Sequence, residues 1–80
     1  MTLKPFFIRA EWDEEASVWV ATSDDVPGLA TEEATMEDLI SKLRIVVPEL
    51  LEANGVIVGQ EVPFELITRR FEIASATGIQ

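Results

Sequence analysis

The chain has 80 residues, 48% of them hydrophobic, no cysteine or histidine, and a formal net charge of −9. That length makes one small domain whose core is near the lower limit for independent stability. The missing residue types exclude disulfides, thiolate or imidazole metal sites and Ser–His or Cys–His nucleophile pairs, while the charge argues against a nucleic-acid surface.

The apolar fraction is high for so small a chain, so some apolar surface is expected to be buried against another copy, in at least a dimer. The charge is uneven. Residues 1–38 hold ten carboxylates against Lys4 and Arg9, whereas residues 39–80 hold five acids and four bases. An acidic front half repels phosphate and attracts a basic partner. No signal peptide pattern opens the chain, and no apolar run approaches the roughly 20 residues that span a bilayer. A soluble, cytoplasmic protein is the expectation.

Residues 4–12 read as a strand, with Phe6, Ile8, Ala10 and Trp12 on one side and Phe7, Arg9 and Glu11 on the other. Residues 17–23 read as a second strand, with Val18, Val20 and Thr22 opposed to Trp19 and Ala21. Asp13-Glu14-Glu15-Ala16 joins them as an antiparallel hairpin. This reading puts Phe7 and Trp19 on the less buried faces, as cross-strand partners or contacts for another chain. Pro27-Gly28 signals a turn in which glycine takes a positive φ. Leu29 to Ala34 reads as a short third strand.

Thr35 fits a helix N-cap, with Glu37 and Asp38 at the positive end of the helix dipole. Met36, Leu39, Ile40, Leu43, Val46, Val47, Leu50 and Leu51 then form one apolar stripe, and Asn54-Gly55 ends it. Pro48 predicts a kink near Arg44, and Ile45 stands alone on the polar face. Residues 56–60 read as a loop. Val62 to about Arg70 reads as a last, edge-forming strand. Its alternation is broken, which predicts a bulge near Leu66-Ile67 or a short helix. Residues 74–80 are expected to fray.

Little catalytic chemistry remains. No phosphate-cradling glycine pattern occurs, and no cofactor is expected. Asp13, Glu14, Asp24 and Asp25 are loop acids that could gather around a divalent ion only if the fold brought them together. Solvated loop acids are the simpler reading, and neither catalytic nor metal residues are assigned. Arg69-Arg70 is too small for a nucleic-acid footprint, and adjacent strand residues point to opposite faces.

The order hairpin, Pro-Gly turn, short strand, capped helix and last strand resembles the HicB-like antitoxin domain. Asp13-Glu14-Glu15, Trp19-Val20-Ala21, Asp25-Val26-Pro27-Gly28, Thr31, Thr35 and Glu37 carry the resemblance, which spans roughly residues 5–70. A short branch is closest, on Trp12-Asp13, Val26 to Thr31 and Pro48 to Leu51. The resemblance implies an α+β, partial RNase H-like fold in β-β-β-α-β order, with an antiparallel sheet packed on one main helix. It also implies a non-enzymatic antitoxin that neutralises a small, basic, mRNA-cleaving HicA-type toxin. Many relatives carry a C-terminal DNA-binding segment, for which this sequence leaves no room. Leu29 and Glu33 also depart from the residues common in the family.

On that reading Asp24, Asp25, Glu32 and Glu33 supply charge for a basic partner, and Trp19 is the aromatic anchor. A stand-alone oligomeric module, structural or ligand-binding, is the competing class. A carboxylate-dependent nuclease is a third reading, resting on fold analogy alone.

Overall fold

The computed structural model describes residues 4–56 and 59–76. Strands β1 (Phe6–Asp13), β2 (Val18–Thr22) and β3 (Ala30–Glu33) form a meander; helix α1 (Met36–Ala53) follows, then strand β4 (Phe64–Arg69). The sheet order is β3-β2-β1-β4. β1/β2 and β2/β3 are antiparallel, but β4 runs parallel to β1. The sheet is therefore mixed, not antiparallel as expected. The helix is the reason. Its 18 residues span about 27 Å and carry the chain back to the end at which β1 and β3 begin, so the next strand is parallel to both.

The hairpin turn is held by Asp13. Its Oδ1 accepts from the backbone N–H groups of Glu15 and Ala16, each at 3.1 Å, and Ser17 N–H bonds to the Asp13 carbonyl at 2.7 Å. Ser17 closes the turn with φ +58°, a conformation costly for a residue with a Cβ.

A different device holds the other end of β1. The β1/β2 ladder stops at the Arg9–Thr22 pair. Beyond it the backbone of Phe7 is taken over by side chains: Asp25 Oδ2 accepts its N–H at 2.8 Å, and Ser23 Oγ donates to its carbonyl at 2.5 Å. Ser23 Oγ also accepts from the N–H groups of Asp25 and Val26. The chain then makes the expected turn at Pro27-Gly28, with Leu29 N–H on the Val26 carbonyl at 3.2 Å and φ +82° at Gly28. Proline at the first central position and a positive φ at the second define a type II turn.

Both ends of α1 follow the sequence. Thr35 Oγ1 accepts the Asp38 N–H at 3.1 Å. At the C-terminus Val56 N–H reaches the Leu51 carbonyl at 2.9 Å and Gly55 N–H the Glu52 carbonyl at 3.1 Å. With Gly55 at φ +76° this is a Schellman motif. The helix continues unbroken past Pro48. Leu39, Leu43, Val47 and Leu51 are fully buried and pack in one cluster with Ile8, Ala10, Ala21, Val26 and Leu29. Ile45 is 62% exposed, as its place on the polar face implies.

Two expectations need correction. Ala21 is fully buried and Trp19 is packed against the core, so the Trp19/Ala21 side of β2, not the Val18/Val20 side, faces the helix. Burial under α1 decided this, because both sides of β2 are apolar. β4 has no bulge and no helix. Its register with β1 is continuous from Phe6–Phe64 to Glu11–Arg69. Phe64 and Leu66 face the helix, Ile67 faces away, and Phe71 and Ile73 lie beyond the strand. The loop expected at 56–60 and the tail expected at 74–80 fall partly outside the described residues.

Two consequences are measurable by chemical denaturation. Ser17→Gly relieves the left-handed backbone and raises stability by up to about 1 kcal/mol, after the entropic cost of glycine. Asp25→Ala strips the acceptor from Phe7 N–H and lowers stability by about 0.5–1.5 kcal/mol, with faster hydrogen exchange at the Phe7 amide.

Candidate protein-binding face

The sheet has one face under the helix and one that no element covers among the described residues. Register defines the open face as rows. One row runs Ala30, Thr22, Arg9, Ile67; the next runs Glu32, Val20, Glu11, Arg69. Phe7 sits beside Glu65, and Val18 beside Asp13. Phe7 and Ile67 are about half exposed, at 47% and 51%, and Val18 and Val20 are half-buried. The result is a discontinuous apolar strip bordered by Glu11, Glu32, Glu65 and Asp13 and interrupted by Arg9 and Arg69.

The five residues singled out from the sequence do not converge. Glu32 lies exposed on the open face, two strands from Glu11 and with Val20 between them. Glu33 lies on the helix side, where its carboxylate meets Lys42 of α1 at 3.3 Å. Asp25 is occupied by the Phe7 backbone. Asp24 pairs with Arg9 at 3.3 Å, its side chain 91% exposed, an arrangement that adds little stability and leaves the carboxylate within reach of solvent.

Trp19 is not on the less buried face. It packs edge-on against Trp12, its register partner, with ring centroids 5.4 Å apart. The Arg70 guanidinium lies 4.4 Å from the Trp12 ring centroid and 5.8 Å from that of Trp19, within cation–π range. Glu72 pairs with the same Arg70. Neither Trp12 nor Arg70 was given a binding role from the sequence, where Arg70 was weighed only as half of a basic pair; the signal available was the even phase that Arg70 shares with Phe64 and Leu66. Arg69, the last residue of β4, lies on the open face beside Glu11.

The loop acids lie apart. Asp13 and Glu14 are at the end of β1, whereas Asp24 and Asp25 are bound beside its start. No group of three or more acidic side chains among the described residues is placed to hold a metal ion. No described helix is long and apolar enough to cross a membrane. Glu11, absent from the sequence-based set, joins Glu32 on the open face beside Val20.

Comparison with known proteins gives relatives without an assigned activity. The chain is 53% identical to a hypothetical protein, TTHA1013, from the extremely thermophilic bacterium Thermus thermophilus, whose crystal structure it matches with a TM-score of 0.70 over 90% of this chain and 99% of that one. None of the curated proteins matches it. A family model described as a domain of unknown function, DUF1902, matches residues 5–75. The chain belongs to the DUF1902 family.

Proposed function

We propose that this protein is a HicB-like, antitoxin-type binding module without catalytic activity of its own, whose target is a small, basic, mRNA-cleaving HicA-type toxin. The observation that carries the reading is the open sheet face, where Glu11 and Glu32 flank Val20 in a chain of net charge −9. Carboxylates around apolar side chains suit a basic protein surface: the charges steer encounter and set register, and the apolar residues supply the desolvated contact. The meander, crossover helix and parallel fourth strand support the partial RNase H-like reading of the fold.

On this reading the carboxylates open to a partner are only partly those expected from the sequence. Asp24, Glu32 and Glu11 have carboxylates at the surface, whereas Asp25 and Glu33 are engaged within the domain. Trp19 contributes through its contact with Trp12 and not as an open anchor. That internal engagement also favours a second reading, a stand-alone module with no toxin, because fewer acids remain for a partner.

Co-expression with the product of an adjacent basic reading frame separates the two. The toxin reading expects a stable complex that weakens as salt is raised. Glu11→Lys together with Glu32→Lys should weaken it by about tenfold or more, at unchanged fold by circular dichroism. Full affinity in the doubly reversed variant rules out this face. Failure of the adjacent product to bind favours the stand-alone module.

A further inference from the structure

We infer that two copies of this chain join edge to edge through β4, antiparallel about a two-fold axis at Ile67, to give one continuous eight-stranded sheet. This does not rest on the toxin reading: it uses the opposite edge of the sheet from Glu32, and of the two acids named there only Glu11 borders it, beside Arg69.

The sheet order leaves β4 at an edge. Phe6 N–H bonds to the Pro63 carbonyl at 3.0 Å, so the backbone polar groups of Pro63, Glu65, Ile67 and Arg69 face β1. Those of Phe64, Leu66 and Thr68 therefore face outward. Pro63, just before the strand, has its missing N–H on the inner side, so among the described residues the outer edge keeps its donors and is able to pair. Edges are commonly blunted by proline, bulges or covering elements; this one is straight and regular over six residues.

Side-chain chemistry selects the register. With Ile67 opposite its own copy, Leu66 and Thr68 form the hydrogen-bonded pairs, and the odd-numbered residues form the closer, non-hydrogen-bonded pairs. Glu65 then lies opposite the partner's Arg69, and Arg69 opposite the partner's Glu65. Each Arg69 is already beside Glu11 of its own chain, so it falls between two carboxylates. Ile67, 51% exposed in the single chain, is covered by its counterpart, and Phe71, 83% exposed, comes opposite the partner's Pro63. Sliding by two residues either way loses both charge pairs. Sliding by one sets outward-facing backbone groups against inward-facing ones.

The experiment is a charge swap read by sedimentation. The unmodified chain should run at twice its 8.9 kDa mass at tens of micromolar, with the Leu66 and Thr68 amides protected from exchange in a concentration-dependent way. Glu65→Arg alone, or Arg69→Glu alone, converts two favourable cross-strand pairs into two like-charge pairs and should raise the dimer dissociation constant about tenfold or more. The double variant E65R/R69E should recover most of it, short of the unmodified chain only by the carboxylate that R69E sets beside Glu11 of its own chain, and that recovery shows that the single variants do not act by unfolding. A monomeric unmodified chain, single reversals without effect, or a double variant that fails to recover would each overturn the inference.

Discussion

The structure depends on the way the backbone of Phe7 is satisfied after β2 has ended. Continuing the β1/β2 register would set Asp24 opposite Phe7. Instead Asp25 and Ser23 replace the missing strand with side-chain oxygens, one accepting from the Phe7 N–H and the other donating to its carbonyl. Unpaired backbone groups beside a core are costly, and this substitution removes that cost without spending two more residues on β2. The chain is then free to leave the sheet early and to fold Val26 and Leu29 beneath the helix, where both are buried. Gly28, at the top of that turn, lies close enough to α1 that an added Cβ would stand 3.8 Å from Leu50 Cδ2. Asn54 ties the two together, its Nδ2 donating to the Leu50 carbonyl at 2.8 Å and to the Pro27 carbonyl at 3.4 Å. The turn, the strand end and the helix end are in this way parts of one connected arrangement.

The core that results is narrow. Ala10 and Ala21 face each other across β1 and β2, and both are fully buried. Both lie in one cluster with the Leu39, Leu43, Val47 and Leu51 row of α1. The larger aromatic residues are displaced to the ends: Phe6 and Phe64 at one, Trp12 and Trp19 at the other, all packed at the margin of the cluster or against one another. Among the described residues no buried polar side chain lacks a partner. What the core cannot accommodate is left on the open face and along the β4 edge, and these are the surfaces from which binding and assembly have been argued.

The helix could be read almost entirely from the sequence. Thr35, the 3.6-residue stripe and Asn54-Gly55 are local signals, and local geometry decides them. The Pro-Gly turn was equally direct. The sheet was less so. An alternating strand states its two faces but not which of them is buried, and β2 is apolar on both; the small residues Ala10 and Ala21 marked the helix side, but the larger Val18 and Val20 outweighed them. Strand direction leaves no trace in alternation at all. The parallel fourth strand followed instead from the crossover length. The broken alternation of β4 had another cause than a bulge, since Phe71 and Ile73 lie past the end of the strand. As for the candidate site, Asp24 and Asp25 stand out in the sequence only as charge, which is easier to see than the hydrogen-bonding use of a Ser-Asp-Asp run after a strand. Glu11 was missed because it reads as an ordinary polar position of an alternating strand, and only the register brings it into line with Glu32.

The stack of Arg70 on Trp12 has an optical consequence. The chain has two tryptophans and no tyrosine, and both indoles belong to one cluster, 5.4 Å apart. Arg70, the first residue after β4, lies over them, at the root of the segment that carries Phe71 and Ile73. The intrinsic fluorescence of the whole protein therefore arises at a single place, where a cation meets two rings, and its intensity and wavelength report the posture of the chain leaving the sheet. Without any added label, the molecule signals the state of the end of its own outermost strand.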